Sequence, residues 1–154
     1  MRVSVIATVK NEETSIGGLL DSLLAQSRQP DEVVLADGGS VDRTRAIATS
    51  YGERGLPLRL LDAPGANISR GRNLAVAAAS GDIIACVDAG VRLAPEWLAE
   101  LTAPFQDHSA CPAPDVVCGF FQADGRNVFE IALGATTLPD LEDERPAGEE
   151  GEAE

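Results

Sequence analysis

Val33-Val34-Leu35-Ala36-Asp37-Gly38-Gly39-Ser40-Val41-Asp42-Arg43-Thr44 carries the plainest structural signal in the chain. An apolar run ends on a carboxylate, passes through two glycines and resumes after a hydroxyl residue. That order predicts a buried strand, a tight turn and a helix start that Ser40 can cap. Ligands of open parallel sheets are met at the carboxyl ends of strands, which makes Asp37 a candidate contact. An aspartate before glycine also commonly bonds the backbone of its own turn. A second apolar run, Ile83-Ile84-Ala85-Cys86-Val87, likewise ends on an aspartate, Asp88, followed by Ala89-Gly90.

Working outward, Val3 to Val9 reads as a first strand, apolar enough to be buried on both faces as parallel sheets require. Lys10-Asn11-Glu12-Glu13-Thr14 follows it, so neither a Gly-x-Gly-x-x-Gly turn nor a phosphate-cradling Gly-x-x-x-x-Gly-Lys loop stands where a nucleotide fingerprint would. Ile16, Leu19, Leu20, Leu23 and Leu24 have helical spacing and belong to the core. Leu58 to Leu61 forms a short third strand, and Ile68 to Ala79 a helix with Arg70, Arg72 and Asn73 near its beginning. Cations early in a helix oppose its dipole, which suits either an anion nearby or ordinary surface arginines. Pro95 opens a helix through Trp97, Leu98 and Leu101 that Pro104 closes. Val116 to Phe121 is expected to be a strand and Val128 to Ala135 a last short helix. The alternation predicts an α/β, Rossmann-like, mostly parallel sheet with helices on both faces.

The chain has 154 residues, 44% of them hydrophobic, and a formal charge of -13. This suits one domain with a real core. Eight of the acids lie from Asp140 onward against Arg145 alone, so the body is only mildly acidic and general nucleic-acid binding is disfavoured. Residues 139–154 read as an acidic disordered tail and 1–138 as the folded domain. Cys86, Cys111 and Cys118 have no CxxC spacing, which fits a reduced, cytoplasmic setting. The first apolar run is too short for a signal peptide, and no integral membrane segment is expected. His108, the one histidine, sits in a polar loop, leaving a histidine zinc site or a Ser-His-Asp triad little to build on.

Taken together, Val3 to Glu13, Asp37 to Thr44, Arg72-Asn73 and Cys86 to Gly90 resemble the amino-terminal half of family 2 glycosyltransferases with the GT-A fold. The likeness is close over Met1 to about Phe105 and loose over Val116 to Leu138. It implies a nucleotide-binding domain, incomplete at the C-terminus, that holds a nucleotide-diphosphate sugar donor for inverting transfer to an acceptor hydroxyl. By resemblance Thr8 and Glu12 meet the nucleoside, Asp37 accepts a hydrogen bond from the base N–H, and Arg72 faces the nucleotide. Asp88 opens what looks like the Asp-x-Asp motif, whose carboxylates meet the ribose and a divalent metal, Mg or Mn. Gly90 stands in the third position, so weakened metal binding is expected. The resemblance places the general base in a later segment, and no motif picks out Asp124, Glu130 or Asp140 for that role. The expectation is therefore a donor-binding half with doubtful turnover, or alternatively a non-catalytic nucleotide-sugar-binding or regulatory module acting with a second copy or a partner chain. A dinucleotide oxidoreductase or a methyltransferase is disfavoured by the missing glycine-rich turn.

Overall fold

The computed structural model describes residues 1–106, 114–120 and Val128. The chain divides into two units, 1–117 and 118–154, and every element below belongs to the first. In order these are β1 (Val3–Val9), α1 (Ile16–Leu24), β2 (Glu32–Asp37), α2 (Thr44–Glu53), β3 (Leu58–Asp62), α3 (Ile68–Ala78), β4 (Ile83–Cys86) and α4 (Trp97–Thr102), closed by a 3-10 turn at Ala103–Phe105. The four strands are parallel and lie in the order β3-β2-β1-β4.

Side-chain alternation along the strands sorts the sheet into two faces. Val3, Val5, Ala7 and Val9 of β1, with Val33 and Leu35 of β2, pack on Leu19, Leu20 and Leu23 of α1, Ala48 and Tyr51 of α2, and Leu98 of α4. Ile6, Val34 and Ala36 point the other way, onto Ala75 of α3. Helices therefore cover both faces. From β1 the chain first steps outward through β2 to β3, then crosses under α3 to β4 on the other side of β1. The β1/β4 boundary is thus the switch point of the sheet, where open α/β folds leave a crevice at the carboxyl ends of the strands.

Several details differ from expectation. Residues 116–120 carry no regular structure, and Phe121 lies outside the described residues. Val128 is helical, whereas 129–135 and His108 fall outside them. Cys86 sits in β4 as expected, but on the face that α3 leaves open, so its thiol is exposed. Cys86 and Ile84 alternate onto that face together, because α3 packs over β1 and β2. No helix among the described residues is long and apolar enough to cross a membrane.

The amino ends of the strands are tied by polar contacts. Ser4 Oγ donates to Glu32 Oε2 at 2.7 Å and accepts from the Gly81 amide at 2.9 Å, while the Ser80 amide donates to the same Glu32 oxygen. The Ser4 hydroxyl, then the Ser80 amide, hold the Glu32 carboxyl below its ordinary value against the opposing push of burial.

Candidate functional site

The loops at the carboxyl ends of β1 and β2 are knit together by two parallel relays. The Asn11 amide donates to Ser40 Oγ at 3.0 Å, and Ser40 Oγ donates on to Asp37 Oδ1 at 2.6 Å. The Glu12 amide donates to Thr44 Oγ1 at 2.7 Å, and Thr44 Oγ1 donates on to Asp42 Oδ1 at 2.6 Å. Each hydroxyl thus satisfies one backbone donor of the first loop and one carboxylate of the second. Asn11 adopts φ 57°, the left-handed conformation that asparagine tolerates, and its Oδ1 accepts from the Val41 amide. Ser40 is therefore a loop clamp and does not cap α2. Arg43 holds the position before that helix, and Asp42 Oδ1 takes the Thr44 amide.

Asp37 ends β2 as expected, and its carboxylate is bonded to its own turn and to α2. Strand alternation turns it with Val33 and Leu35 toward α2, away from the α3 face. Its side chain is fully buried, with Oδ1 accepting the Ser40 amide and hydroxyl and Oδ2 accepting Arg45 Nη1 at 2.7 Å. Arg45 Nη1 also donates to Asp62 Oδ1 at 2.6 Å, at the equivalent end of β3. Both carboxylate oxygens are thus already engaged within the protein. Burial pushes the Asp37 carboxyl up, and the bonds from Ser40 and Arg45 outweigh it and hold the group below its ordinary value. At Asp42 desolvation is likewise outweighed, by the bonds from Thr44 and Glu13.

Because the folded values of Glu32, Asp37 and Asp42 all lie low, the stability they add is whole above the unfolded carboxyl range of about 4 and is lost as pH falls through the folded values. The urea midpoint is accordingly expected to stay flat from pH 7 to about 5 and to drop steeply below about 4. A midpoint unchanged down to pH 3 would show that these carboxylates contribute nothing.

The α3 face holds a cleft of about 690 Å³, within the range of small-ligand sites. Thr8 and Ala36, paired in register, form its floor with Gly38, Lys10 and Glu12 stand on one side, residues 66–69 at the start of α3 stand on another, and Asp88 to Gly90 close the third. Two glycines let the cleft's walls and floor approach this closely. A Cβ on Gly38 would sit 3.2 Å from the Ala66 carbonyl oxygen, and one on Gly71 only 2.8 Å from Thr8 Cγ2. Asn67 caps α3 by accepting the Arg70 amide at 2.9 Å. Lys10 makes no ion pair with a described residue. A second hollow, about 510 Å³, lies at Met1, Arg28, Phe105 and Gln106, where the Arg28 guanidinium is already bonded to Thr102 and to the Met1 carbonyl. Only the first hollow gathers the strand-end groups.

Of the residues singled out from the sequence, Thr8, Glu12 and Asp88 come together on the cleft. Glu12 also bonds the Ser15 hydroxyl at the entry to α1. Arg72 donates from Nη2 to Asp88 Oδ1 at 3.0 Å. Asp37 lies behind the floor. Lys10, Gly38 and Gly71 were not singled out: the first reads as an ordinary loop cation, and the glycines show their purpose only once β1 and α3 are in contact.

A divalent metal can be tested against this donor set. No group of three potential ligands exists among the described residues, so they form no all-protein cage. Asp88 Oδ2 bonds no described residue, and one carboxylate together with ligand phosphates is a recognised way to hold Mg²⁺. The residues fit a metal shared with a bound diphosphate.

The sequence profile described as "Glycosyl transferase family 2" matches residues 4–149. The uncharacterized glycosyltransferase EpsJ of Bacillus subtilis is 31% identical over 129 residues, 82% of this chain and 36% of EpsJ. Among solved structures, S. aureus TarS 1-349 in complex with UDP-GlcNAc superposes with a TM-score of 0.70 at 29% identity, covering 83% of this chain and 37% of that one. A mannosyltransferase of Pyrobaculum calidifontis in complex with GDP-Man and Mn²⁺ gives 0.61 at 30% identity, covering 66% and 31%. The chain spans about a third of the length of the curated relatives it matches.

Proposed function

This chain belongs to glycosyl transferase family 2 and has the GT-A fold, and from that premise we propose that its cleft binds a nucleoside-diphosphate sugar for inverting transfer to an acceptor hydroxyl. The observation that carries the reading is the convergence of Thr8, Glu12, the start of α3 and Asp88 on one cleft at the switch point of the sheet. TarS 1-349 was solved in complex with UDP-GlcNAc and the Pyrobaculum enzyme with GDP-Man and Mn²⁺, which supports the choice of ligand class.

In this reading the nucleoside lies over Thr8, Ala36 and Gly38, with Glu12 available as an acceptor for its ribose hydroxyls. Lys10 and Arg72 supply positive charge for the diphosphate, and the amino end of α3 favours the same anion. Asp37 acts as a positioning residue, holding the turn that presents Gly38. A divalent metal held by Asp88 would neutralise the charge that grows on the departing diphosphate. Gly90 adds no side-chain oxygen, so Asp88 would be the one carboxylate that this turn offers such a metal. Inverting transfer also needs a base for the acceptor proton. Glu12 and Asp88 are committed to the donor in this reading, and the family resemblance places the base in a later segment.

A thermal-shift panel tests the assignment. UDP, GDP and their sugars, with and without Mn²⁺, are expected to raise the melting temperature by several degrees at saturation, with one base preferred. No shift with any nucleoside diphosphate, or a shift with NAD alone, would contradict it. A coupled assay for released diphosphate separates binding from turnover.

A further inference from the structure

Thr44 opens α2 and is fully buried, yet its hydroxyl serves the loop after β1. Oγ1 donates its one hydrogen to Asp42 Oδ1 at 2.6 Å, which leaves a lone pair for the Glu12 amide at 2.7 Å. That bond joins residues 32 apart in the chain. The other bonds of Glu12 to described residues all go to Ser15 and Ile16 at the entry to α1: its carbonyl accepts their amides at 3.1 and 2.9 Å, and Oε2 accepts the Ser15 hydroxyl. Thr44 is therefore the hydrogen-bond partner that fixes Glu12 from another element. Glu12 lines the cleft, and its Oε1 bonds no described residue, whereas Thr44 lies outside the lining. A carboxylate tells a hydroxyl from bare carbon only where its oxygen is held in place, because a hydrogen bond weakens steeply away from its preferred geometry.

Resting on the reading of the cleft as a nucleoside-diphosphate site with Glu12 toward the ribose, we propose that Thr44 is a positioning residue for sugar selection. By holding the Glu12 amide, it keeps the Glu12 carboxylate where it takes ribose in preference to deoxyribose. Thr44 acts through Glu12 and does not touch the ligand. Asp42 completes the device, since it orients the Thr44 hydroxyl and takes the Glu13 amide on its second oxygen.

The test compares UDP with its 2′-deoxy and 3′-deoxy forms on the full chain by calorimetry. The wild-type protein is expected to prefer UDP over at least one deoxy form by about ten-fold or more, the range for a hydrogen bond to a charged acceptor. Thr44→Val keeps the branched shape without the hydroxyl and is expected to lose most of that preference, while Thr44→Ser keeps it. In Glu12→Ala the preference is already gone, and adding Thr44→Val changes it no further. A merely structural clamp would weaken UDP and the deoxy forms alike; an unchanged ratio in Thr44→Val, or no preference in the wild type, would overturn the proposal. Should Thr44→Val fail to fold, Asp42→Ala at a half-buried position removes the acceptor of the Thr44 hydroxyl and is read in the same way. Hydrogen exchange at the Glu12 amide, followed without ligand, is expected to quicken in Thr44→Val, and equal protection in both proteins would overturn the contact itself. Absence of any UDP binding would overturn the donor reading, and sugar selection with it, even where the exchange rates show the clamp to be present.

Discussion

Asp37→Ala is expected to lower the unfolding free energy by about 2–3 kcal/mol, because hydrogen bonds to a buried charged group are each worth about 1.5–3 kcal/mol and their loss leaves the partners unpaired. The Ser40 amide and hydroxyl both lose their acceptor, and with them goes the clamp on the Asn11 amide. Arg45 is the lesser loss, since it is partly exposed and keeps Asp62. Asp37→Asn retains an acceptor for Ser40 and should cost about half as much. Urea denaturation checks both values. UDP affinity is expected to fall only as far as the turn loosens. A variant of wild-type stability that no longer binds UDP would contradict the positioning role and restore Asp37 to direct contact with ligand.

Gly71→Ala gives the other large effect, and here the sign is diagnostic. Gly71 lies inside α3, where alanine is intrinsically favoured over glycine by about 1 kcal/mol. The added Cβ would meet Thr8 Cγ2 at 2.8 Å, and Thr8 is a β-branched residue on a strand with little freedom to turn aside. Overpacking of this kind costs about 1–3 kcal/mol, so packing outweighs propensity and the net change is a loss of about 1–2 kcal/mol. Lifting α3 from β1 also moves one wall of the cleft, so UDP affinity should fall with stability. Thr8→Ser with Gly71→Ala removes the clashing methyl and should recover most of the stability. A stabilised single variant would mean that α3 packs less closely than described.

The same two residues mark what was legible in the amino-acid pattern. The element order through α4 and the strand ends follow from apolar runs that stop at polar residues, and the structure keeps them; Thr8 and Glu12 rest on the family resemblance alone, and with Asp88 they line one cleft. The orientation of Asp37 does not follow. Val33 to Ala36 is apolar throughout, so the run carries no alternation to distinguish the α2 face from the α3 face. A step of one residue decides whether the cleft meets Asp37 or Ala36 and Gly38. Ser40 misleads for a related reason, since a hydroxyl near a helix start suits a cap, and only the proximity of Asn11 makes it a clamp between loops. The closeness of Gly71 to Thr8 and the pairing of Arg72 with Asp88 join segments 63 and 16 residues apart, contacts that local periodicity cannot register.

The proposed nucleoside diphosphate lies in the cleft between the ends of β1 and β2, the start of α3 and the turn after β4. A ¹⁵N-resolved NMR titration of the full chain with UDP and Mg²⁺ maps that placement residue by residue. Saturable shifts are expected at Thr8, Lys10, Gly38, Ile68 to Gly71 and Asp88 to Gly90, with little change at Arg28 and Gln106. Shifts centred on Arg28 and Gln106, or none at all at millimolar UDP, would contradict it.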